Sequence, residues 1–347
     1  MKKHLFFFGI LFICCACVGQ QKGSNSLLWR INKTGVDSSS YLFGTIHLPQ
    51  KKFLVYSDSV YEAIQNSRLF YNEIDFMNTS VFTDPGLIEF FTAKGRYLDS
   101  IKHTGPWKNL ISRINRRYNV NIAPDNLDEF VQFGQKVLGS YFGPEEGVSA
   151  PDIMLAQHAI ILGKETGGLE THLLQFTMLY DVIDARMSDT TLDFQDETNL
   201  LVSMKKFYLE ENIDSISAIV ENMNATYREI VFDKRNKTMA DSIEKHSINE
   251  PSFFAIGAGH LGGKNGVIEM LRKKGFTLTP VYSNNKMSIL VVNNMIKMSF
   301  ENKEKLKAKY DGDVKIDLLP ENPPPPPPKE SPPKVKMEPV KPKKKNN

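Results

Sequence analysis

The stretches Tyr41–His47 (YLFGTIH) and Phe253–His260 (FFAIGAGH) share one pattern, an apolar aromatic run that ends in Gly-x-x-His. Apolar runs of this length between polar segments predict strands buried in the middle of a sheet. A glycine lets the backbone bend tightly at the end of such a strand, and the histidine is then presented at the sheet edge. Because open α/β sheets bind ligands at the carboxyl ends of their strands, we expect both histidines to face one cleft.

The elements around these two stretches predict an α/β (α+β) fold, with a mixed central β-sheet and a large helical insertion. Periodic apolar spacing over about residues 80–224 predicts mostly helices. A helix over Gly266–Lys274 lies between two predicted strands, which is typical of a βαβ unit. The other predicted strands are Leu27–Ile31, Arg68–Ile74, Gly163–Thr171, Phe276–Tyr282 and, at the sheet edge, Ser288–Asn293.

The amino terminus predicts export. A basic start is followed by the apolar run Leu5–Ala16, which is too short to span a bilayer, so residues 1–16 are predicted to be a signal peptide. The sequence Ala16-Cys17 resembles a bacterial lipobox, in which Cys17 would be acylated; a plain secretory signal is the alternative. Residues 17–26 are then a linker, and we expect a lipoprotein of the outer membrane that faces the periplasm or the cell surface.

The cysteine count limits the chemistry. All three cysteines of the chain lie in or beside the signal peptide. A disulfide framework, a cysteine-ligated zinc site and a cysteine nucleophile are therefore excluded from the predicted domain at residues 27–300.

The carboxyl terminus, residues 301–347, is predicted to be a disordered Lys/Pro-rich tail. Pro323–Pro328 favours extended polyproline II, and the segment has too little apolar surface to fold. The tail and the signal peptide carry more positive charge than the net +3 of the chain, so the body is mildly acidic. Nucleic-acid binding loses its main support. The tail is either a solvated spacer or a contact with anionic envelope components.

Four polar residues follow predicted strands: His47, Glu73, Glu170 and His260. Two imidazoles and two carboxylates suit a divalent transition metal such as Mn, Co, Fe or Zn. A metal of this kind lowers the pKa of bound water, and a spare carboxylate acts as the base. Whether the four side chains converge is left open by the residues alone.

These residues also resemble the TraB/GumN family, which includes the TraB, PrgY, GumN and Tiki proteins, and the chain resembles a bacterial lipoprotein-type member. The resemblance extends over about residues 27–282. The matching motifs are Gly44–His47, Glu73–Asp75, Gly168–Thr171 with Gln175, Arg235-Asn236, Gly257–Leu261 and Gly266–Phe276.

The resemblance implies a metal-dependent, hydrolase-like site, with peptidase activity that in the Tiki branch uses Mn or Co. His47, His260 and Glu73 are then the metal ligands, and Glu73 is assigned to catalysis. Glu170 is added to the catalytic residues because it follows a predicted strand; the resemblance supports only the motif around it. Mn or Co is favoured, with Zn or Fe as alternatives. Substrate binding is assigned to Arg235, Asn236 and Thr45, although a structural ion pair is an equal alternative for Arg235.

Three functions remain in competition. The first is an envelope-anchored metallopeptidase that acts on a peptide or protein and contacts the membrane through its lipid. The second is a non-catalytic lipoprotein that binds or sequesters a peptide or small ligand in the same cleft. The third is a structural envelope protein whose proline-rich tail recruits a partner.

Two further residues are given structural roles. Asp152 follows Pro151 and is expected in the first turn of a helix, with an indirect role at the site left open. His158 lies among apolar residues of the same helix and is expected to be buried.

Overall fold

Two β-sheets form the framework of the computed structural model, which describes residues 25–142, 145–190 and 194–310. The larger sheet has six strands in the order β5-β4-β6-β2-β1-β7, and β3 pairs with β8 in a separate two-stranded sheet. The strands in chain order are β1 (Leu28–Lys33), β2 (Ser40–Thr45), β3 (Val55–Ser57), β4 (Leu69–Asn72), β5 (Glu165–Gly168), β6 (Ser252–Gly257), β7 (Phe276–Pro280) and β8 (Lys286–Ser288).

Helices occupy most of the chain between β4 and β6 and also pack against the sheet. This arrangement confirms the predicted α/β class with a mixed sheet and a helical insertion. The helices in chain order are α1 (Asp58–Asn66), α2 (Pro85–Ile101), α3 (Gly105–Tyr118), α4 (Leu127–Phe142), α5 (Pro151–Ile161), α6 (His172–Ser188), α7 (Phe194–Leu209), α8 (Ile213–Glu221), α9 (Ala225–Arg228), α10 (Lys234–Asn249), α11 (Val267–Lys273) and α12 (Ile289–Tyr310).

Four neighbouring strands of the sheet run parallel. β6 pairs with β2 on one side and with β4 on the other, and β4 pairs with β5. Thr45 lies opposite Gly257, and Asn72 lies opposite both Ala255 and Gly168. The carboxyl ends of these strands therefore share one edge, from which the segments carrying the predicted site residues emerge.

The glycine of the first Gly-x-x-His motif has a different role from the predicted bend. Gly44 lies inside β2, and a Cβ built on it would come 2.6 Å from Leu261 Cδ1 and 3.2 Å from Ala258 Cα. Glycine is thus required because the turn after β6 packs directly against the β2 backbone. This close packing holds the two motifs against each other.

The apolar residues form two cores. The larger one surrounds the six-stranded sheet and contains fully buried aromatic rings such as Trp29, Phe70, Phe253 and Phe254. A smaller one, centred on Trp107, lies among α2, α3, α4 and α6. The helical insertion therefore buries apolar surface of its own besides packing on the sheet.

The predicted edge strand at Ser288–Asn293 is wrong. Only Lys286–Ser288 is extended, and α12 begins at Ile289. The β-branched residues of this run favour a strand, but Ile289, Val292 and Asn293 are buried at the i, i+3, i+4 spacing of one helix face. Tertiary packing has overridden the local preference here.

Several predicted segments lie outside the described residues. They are the signal peptide at 1–16, Cys17, most of the linker and the tail from residue 311, and the domain limits set by them stay predictions. Among the helices that are described, none has the length and apolarity needed to cross a membrane. The chain forms two compact units, and the boundary between them lies within α12, after Asn294. The segments that carry the predicted site residues belong to the first unit.

His158 is buried, as expected, and supports the packing of α5. Its side chain is 2% exposed, its Nδ1 lies 2.6 Å from Asn293 Oδ1, and its ring meets Tyr61 edge-on at 5.3 Å. Burial lowers the pKa of His158 below the usual 6.5. The folded protein therefore holds this imidazole neutral at pH values where the unfolded chain protonates it.

This pKa shift predicts a loss of stability in acid. Below about pH 6.5 the histidine is protonated in the unfolded chain but not in the folded one. Lowering the pH by one unit in this range therefore decreases the free energy of unfolding by up to about 1.4 kcal/mol through this group. His158→Gln should show a weaker dependence on pH between 7 and 5 in denaturant titrations. Equal slopes for the two proteins would contradict the assignment.

Candidate active site

The two motif histidines converge on one carboxylate. His47 follows the end of β2, and His260 closes the 3₁₀ turn Ala258–His260 after β6. Nε2 of His47 and Nε2 of His260 each lie 3.8 Å from Oε1 of Glu73, which directly follows β4. Three strand ends that are distant in sequence thus supply one cluster of donor atoms.

Each imidazole is held through its other ring nitrogen. Nδ1 of His260 lies 2.6 Å from Asn236 Oδ1, and Nδ1 of His47 lies 3.3 Å from Asp152 Oδ2. The Asn236 amide is oriented because its Nδ2 donates to the carbonyl of Asn265 at 2.7 Å. Both acceptors require a proton on Nδ1, so the lone pair of each neutral imidazole is on Nε2. That of His260 accepts from Arg235 Nη1 at 3.3 Å, and that of His47 is on the side of Glu73.

A buried guanidinium joins the two candidate acids. Arg235 Nη2 donates to Glu73 Oε2 at 2.6 Å and to Glu170 Oε2 at 2.7 Å, and its Nε donates to Glu170 at 3.0 Å. Gln175 Nε2 donates to both carboxylates at 3.2 Å. A π-helical turn at Glu229–Asp233 precedes α10, and Arg235 Nη1 donates to the carbonyl of Val231 in this turn at 3.4 Å. Irregularities of this type are frequent at functional sites.

The surroundings of Glu73 and His260 set their protonation states. Burial alone would raise the pKa of Glu73, but the positive charges of the neighbouring His47 and Arg235 hold that pKa well below its usual 4.5. Burial lowers the pKa of His260 to about 3. Glu73 is therefore ionised at neutral pH, while His260 is a neutral donor.

His47 and Glu170 behave differently from these two. Partial burial works against a charge on His47, but the carboxylates of Asp152 and Glu73 outweigh it and raise the pKa of His47 well above 6.5. The His47 side chain is also the open one, at 46% exposure, while that of Glu170 is fully enclosed. Burial raises the pKa of Glu170 above 4.5, with Arg235 acting in the opposite direction.

Gly257 leaves room in the middle of the cluster. A Cβ at this position would come 3.1 Å from Glu73 Oε1, 3.4 Å from His260 Cδ2 and 3.6 Å from His47 Nε2. The backbone N–H of Gly257 donates to Glu73 Oε1 at 2.7 Å and fixes that oxygen. The second motif thus needs glycine here because the space above it belongs to the site.

The donor chemistry fits a divalent metal. Two imidazole nitrogens whose partner nitrogens are anchored, together with one ionised carboxylate, form the kind of set that holds transition metals, and hydrogen bonds to an amide and a carboxylate orient the imidazoles. Donors 3.8 Å apart are within reach of one ion with bonds of about 2.0–2.2 Å. Within the described part of the chain, however, no three His, Cys, Asp or Glu side chains are drawn together as a formed metal site.

The three residues assigned to substrate binding take different positions. Asn236 has both ends of its amide occupied, and Arg235 is engaged by two carboxylates, which is the ion-pair alternative that the sequence left open. Thr45 is buried at the end of β2, and its Oγ1 has no hydrogen-bond partner among the described residues. Their assignment to substrate contacts stays a prediction.

Two features of the site were not predicted from the sequence. Asp152 contacts His47 directly, whereas the sequence placed it in the first turn of α5 and left an indirect role at the site open. The space above Gly257 is the second feature. The available signal for Asp152 was Pro151, which starts α5 and so places Asp152 in its first turn.

Comparison with known proteins gives a consistent family. The sequence pattern that defines the TraB/PrgY/gumN family matches residues 27–280 of the chain. The chain is 24% identical over 315 residues to "Metalloprotease TIKI2" of Danio rerio, with 74% of the chain and 61% of the relative covered. It is 27% identical over 331 residues to "Metalloprotease TIKI1" of Homo sapiens, with 76% and 63% covered. The chain therefore spans about three fifths of these relatives, and no solved structure gives a significant match.

The ion cluster predicts a large stability loss when its cation is removed. Arg235→Met leaves Glu73 and Glu170 buried without their main partner, so we expect a decrease of about 3–5 kcal/mol in the free energy of unfolding. Arg68→Met is the matched control, because the Arg68–Glu250 pair is at the surface and contributes under about 1 kcal/mol.

A double variant separates charge from packing. Adding Glu170→Gln to Arg235→Met removes one uncompensated charge and should recover part of the lost stability in denaturant titrations. A double variant less stable than Arg235→Met would show that the carboxylate charge is not what Arg235 compensates.

Proposed function

The chain belongs to the TraB/PrgY/gumN family, and from this premise we propose that it is a metal-dependent hydrolase that cleaves peptide bonds. The observation that carries the proposal is the approach of His47 Nε2 and His260 Nε2 to the same oxygen of Glu73. The relatives support the reaction type, since their names describe metalloproteases, and they imply protein or peptide substrates. At 24–27% identity they do not carry over a particular substrate.

His47, His260 and Glu73 would hold the metal. When bound, a divalent ion supplies a water of lowered pKa and polarises the scissile carbonyl. Mn or Co is our choice on the family resemblance, with Zn or Fe as alternatives. Asp152 and Asn236 keep the two imidazoles in the tautomer and orientation that a ligand needs.

Residues around this centre would accept the proton of the attacking water and stabilise the negative charge that develops on the substrate. Glu73 is ionised and its Oε1 faces both histidines, so we assign it the proton of the attacking water. Glu170, the other predicted catalytic residue, holds Arg235 in place. The Arg235 Nη1 lies 3.3 Å from His260 Nε2, where its charge favours the oxyanion that develops on the carbonyl.

The place of action is proposed from the sequence. A lipid on Cys17 would anchor the domain to the outer membrane, facing the periplasm or the cell surface, and the tail after residue 301 would extend from it. Acylation of Cys17 is testable by mass spectrometry of the full chain from membranes.

A second candidate is a non-catalytic protein that binds a peptide in the same cleft. The engagement of both acids by Arg235 favours it, because a carboxylate bound in this way is a weaker base. Turnover separates the two candidates. A binder returns its peptide unchanged from a stoichiometric complex, while a hydrolase releases two products.

Metal loading tests the proposal. We expect about one equivalent of Mn, Co or Zn per wild-type chain by elemental analysis, and loss of both metal and peptide cleavage in His47→Ala and His260→Ala. The exposed His103→Ala is the matched control and should retain both. Normal metal content in either site variant would remove that histidine from the ligand set.

Gly257→Ala is a more demanding test because it adds a single methyl group. The backbone of Gly257 (φ −54°, ψ 134°) suits alanine, so the fold should persist by circular dichroism. The new Cβ would crowd Glu73 Oε1, and we expect metal affinity to fall by about tenfold or more. Gly95→Ala in α2, where a Cβ meets nothing, should leave the affinity unchanged. Equal affinity in both variants would place the metal elsewhere.

A further inference from the structure

A cavity lies at the same edge of the sheet as the candidate site. Its volume is about 380 Å³, and its walls include Leu28, Phe43 and Val281. Leu28 pairs with Phe43 near the carboxyl end of β2, and the N–H of Val281 donates to the carbonyl of Leu28 just beyond β7. The cavity is therefore formed where the active-site edge continues from β2 toward β1 and β7.

The chain that follows His47 forms part of the cavity wall. Phe53, Val55 and Tyr56 all line the cavity, and Tyr208 lines it from α7. Burial raises the pKa of Tyr56 and of Tyr208, and the charge of Asp152, which contacts His47 Nδ1 at 3.3 Å, adds to both shifts. The cavity wall is therefore continuous with the segment that carries His47.

The walls of the cavity are chiefly apolar. Phe43 meets Tyr56 edge-on at 5.6 Å, and Phe53 meets Tyr208 edge-on at 5.9 Å, so aromatic rings form much of the surface. The lysines at the lining have partners: Lys286 Nζ lies 2.5 Å from Glu211 Oε1, and Lys52 Nζ lies 5.0 Å from the ring of Phe53. Such a surface accepts an uncharged apolar group and disfavours a carboxylate or an ammonium.

The volume of the cavity is in the range of sites that bind small ligands. Protein interiors leave few voids larger than a water molecule, whereas sites for small ligands have about 300–1,000 Å³.

We propose that this cavity receives a large apolar side chain of the peptide substrate, next to the bond that is cleaved. The inference rests on the proposed hydrolase function and adds a specificity to it. An extended peptide lying along the sheet edge at His47 advances about 3.3 Å per residue and turns alternate side chains to the same side, so a side chain within a few residues of the scissile carbonyl can enter the cavity. Leucine, methionine and phenylalanine fit the wall chemistry, and aspartate and lysine do not.

Val55 and Leu209 offer substitutions that change the cavity without removing core packing. Both line the cavity and are exposed, at 42% and 46%. Val55→Trp should narrow the mouth, and Leu209→Ala should widen it. Val131→Trp on α4 is the matched control, since Val131 has a similar exposure of 48% and does not line the cavity.

The test has a binding arm and a cleavage arm, both on the full chain. In the first, the phenylalanine probe (N-acetyl-phenylalaninamide) and the aspartate probe (the N-acetylated α-amide of aspartic acid, with a free side-chain carboxylate) are each titrated into the protein, and binding is measured by calorimetry. In the second, the metal-loaded protein cleaves a degenerate peptide library, and mass spectrometry reads the residues on either side of the cut. We expect the phenylalanine probe to bind at least about tenfold more tightly than the aspartate probe, and one position beside the cut to prefer large apolar residues.

Val55→Trp should abolish both the tighter binding of the phenylalanine probe and the preference for large apolar residues beside the cut. Leu209→Ala should shift the preference toward larger side chains, and Val131→Trp should leave binding and cleavage preferences unchanged. Selective binding that Val55→Trp abolishes, without cleavage by any protein, would support the pocket and overturn the hydrolase. Cleavage with no apolar preference, or with a preference unchanged in Val55→Trp, would overturn the pocket and leave the hydrolase standing. Equal binding of the two probes would also overturn it.

Discussion

The parallel pairing of β2 with β6 is the constraint on which the site depends. With Thr45 opposite Gly257, the ends of the two Gly-x-x-His strands are level, and the next parallel strand brings Glu73 to the same height. A register slip of one residue would turn these side chains toward the other face. Gly44 secures the arrangement, because its missing side chain lets the turn carrying His260 pack on the β2 backbone. Backbone pairing and close packing thus create the cluster before any side chain contributes chemistry.

The buried charges then fix the orientation of the side chains. Arg235 with Glu73 and Glu170 is costly to desolvate, so its value lies less in net stability than in holding Glu73 with Oε2 occupied and Oε1 turned to the histidines. Asn236, Asp152 and the Gly257 N–H complete the set of contacts that hold the donors. Each of the three proposed ligands is thus oriented by a hydrogen bond or ion pair to a neighbouring group, while the half-exposed side chain of His47 leaves the cluster accessible to solvent.

Much of this arrangement was predictable because parallel strands are continuous apolar runs whose ends share an edge. The α/β class and the positions of His47, His260 and Glu73 at neighbouring strand ends follow from that rule. The α12 start at Ile289 was not predictable from propensity, since packing decided between helix and strand there. The contact of Asp152 with His47, the role of Gly44 and the cavity beside Tyr56 depend on long-range approach of segments, which one sequence does not encode locally.

The central claim is that His47, His260 and Glu73 form one metal centre. The most direct measurement is anomalous diffraction at the cobalt edge from crystals of the full chain grown with Co²⁺. The account predicts one strong peak above Gly257, bonded to Nε2 of both histidines and to Glu73, with Nδ1 still directed at Asp152 and Asn236. A cobalt peak bound by other residues, with His47 and His260 still apart from it, would contradict the account.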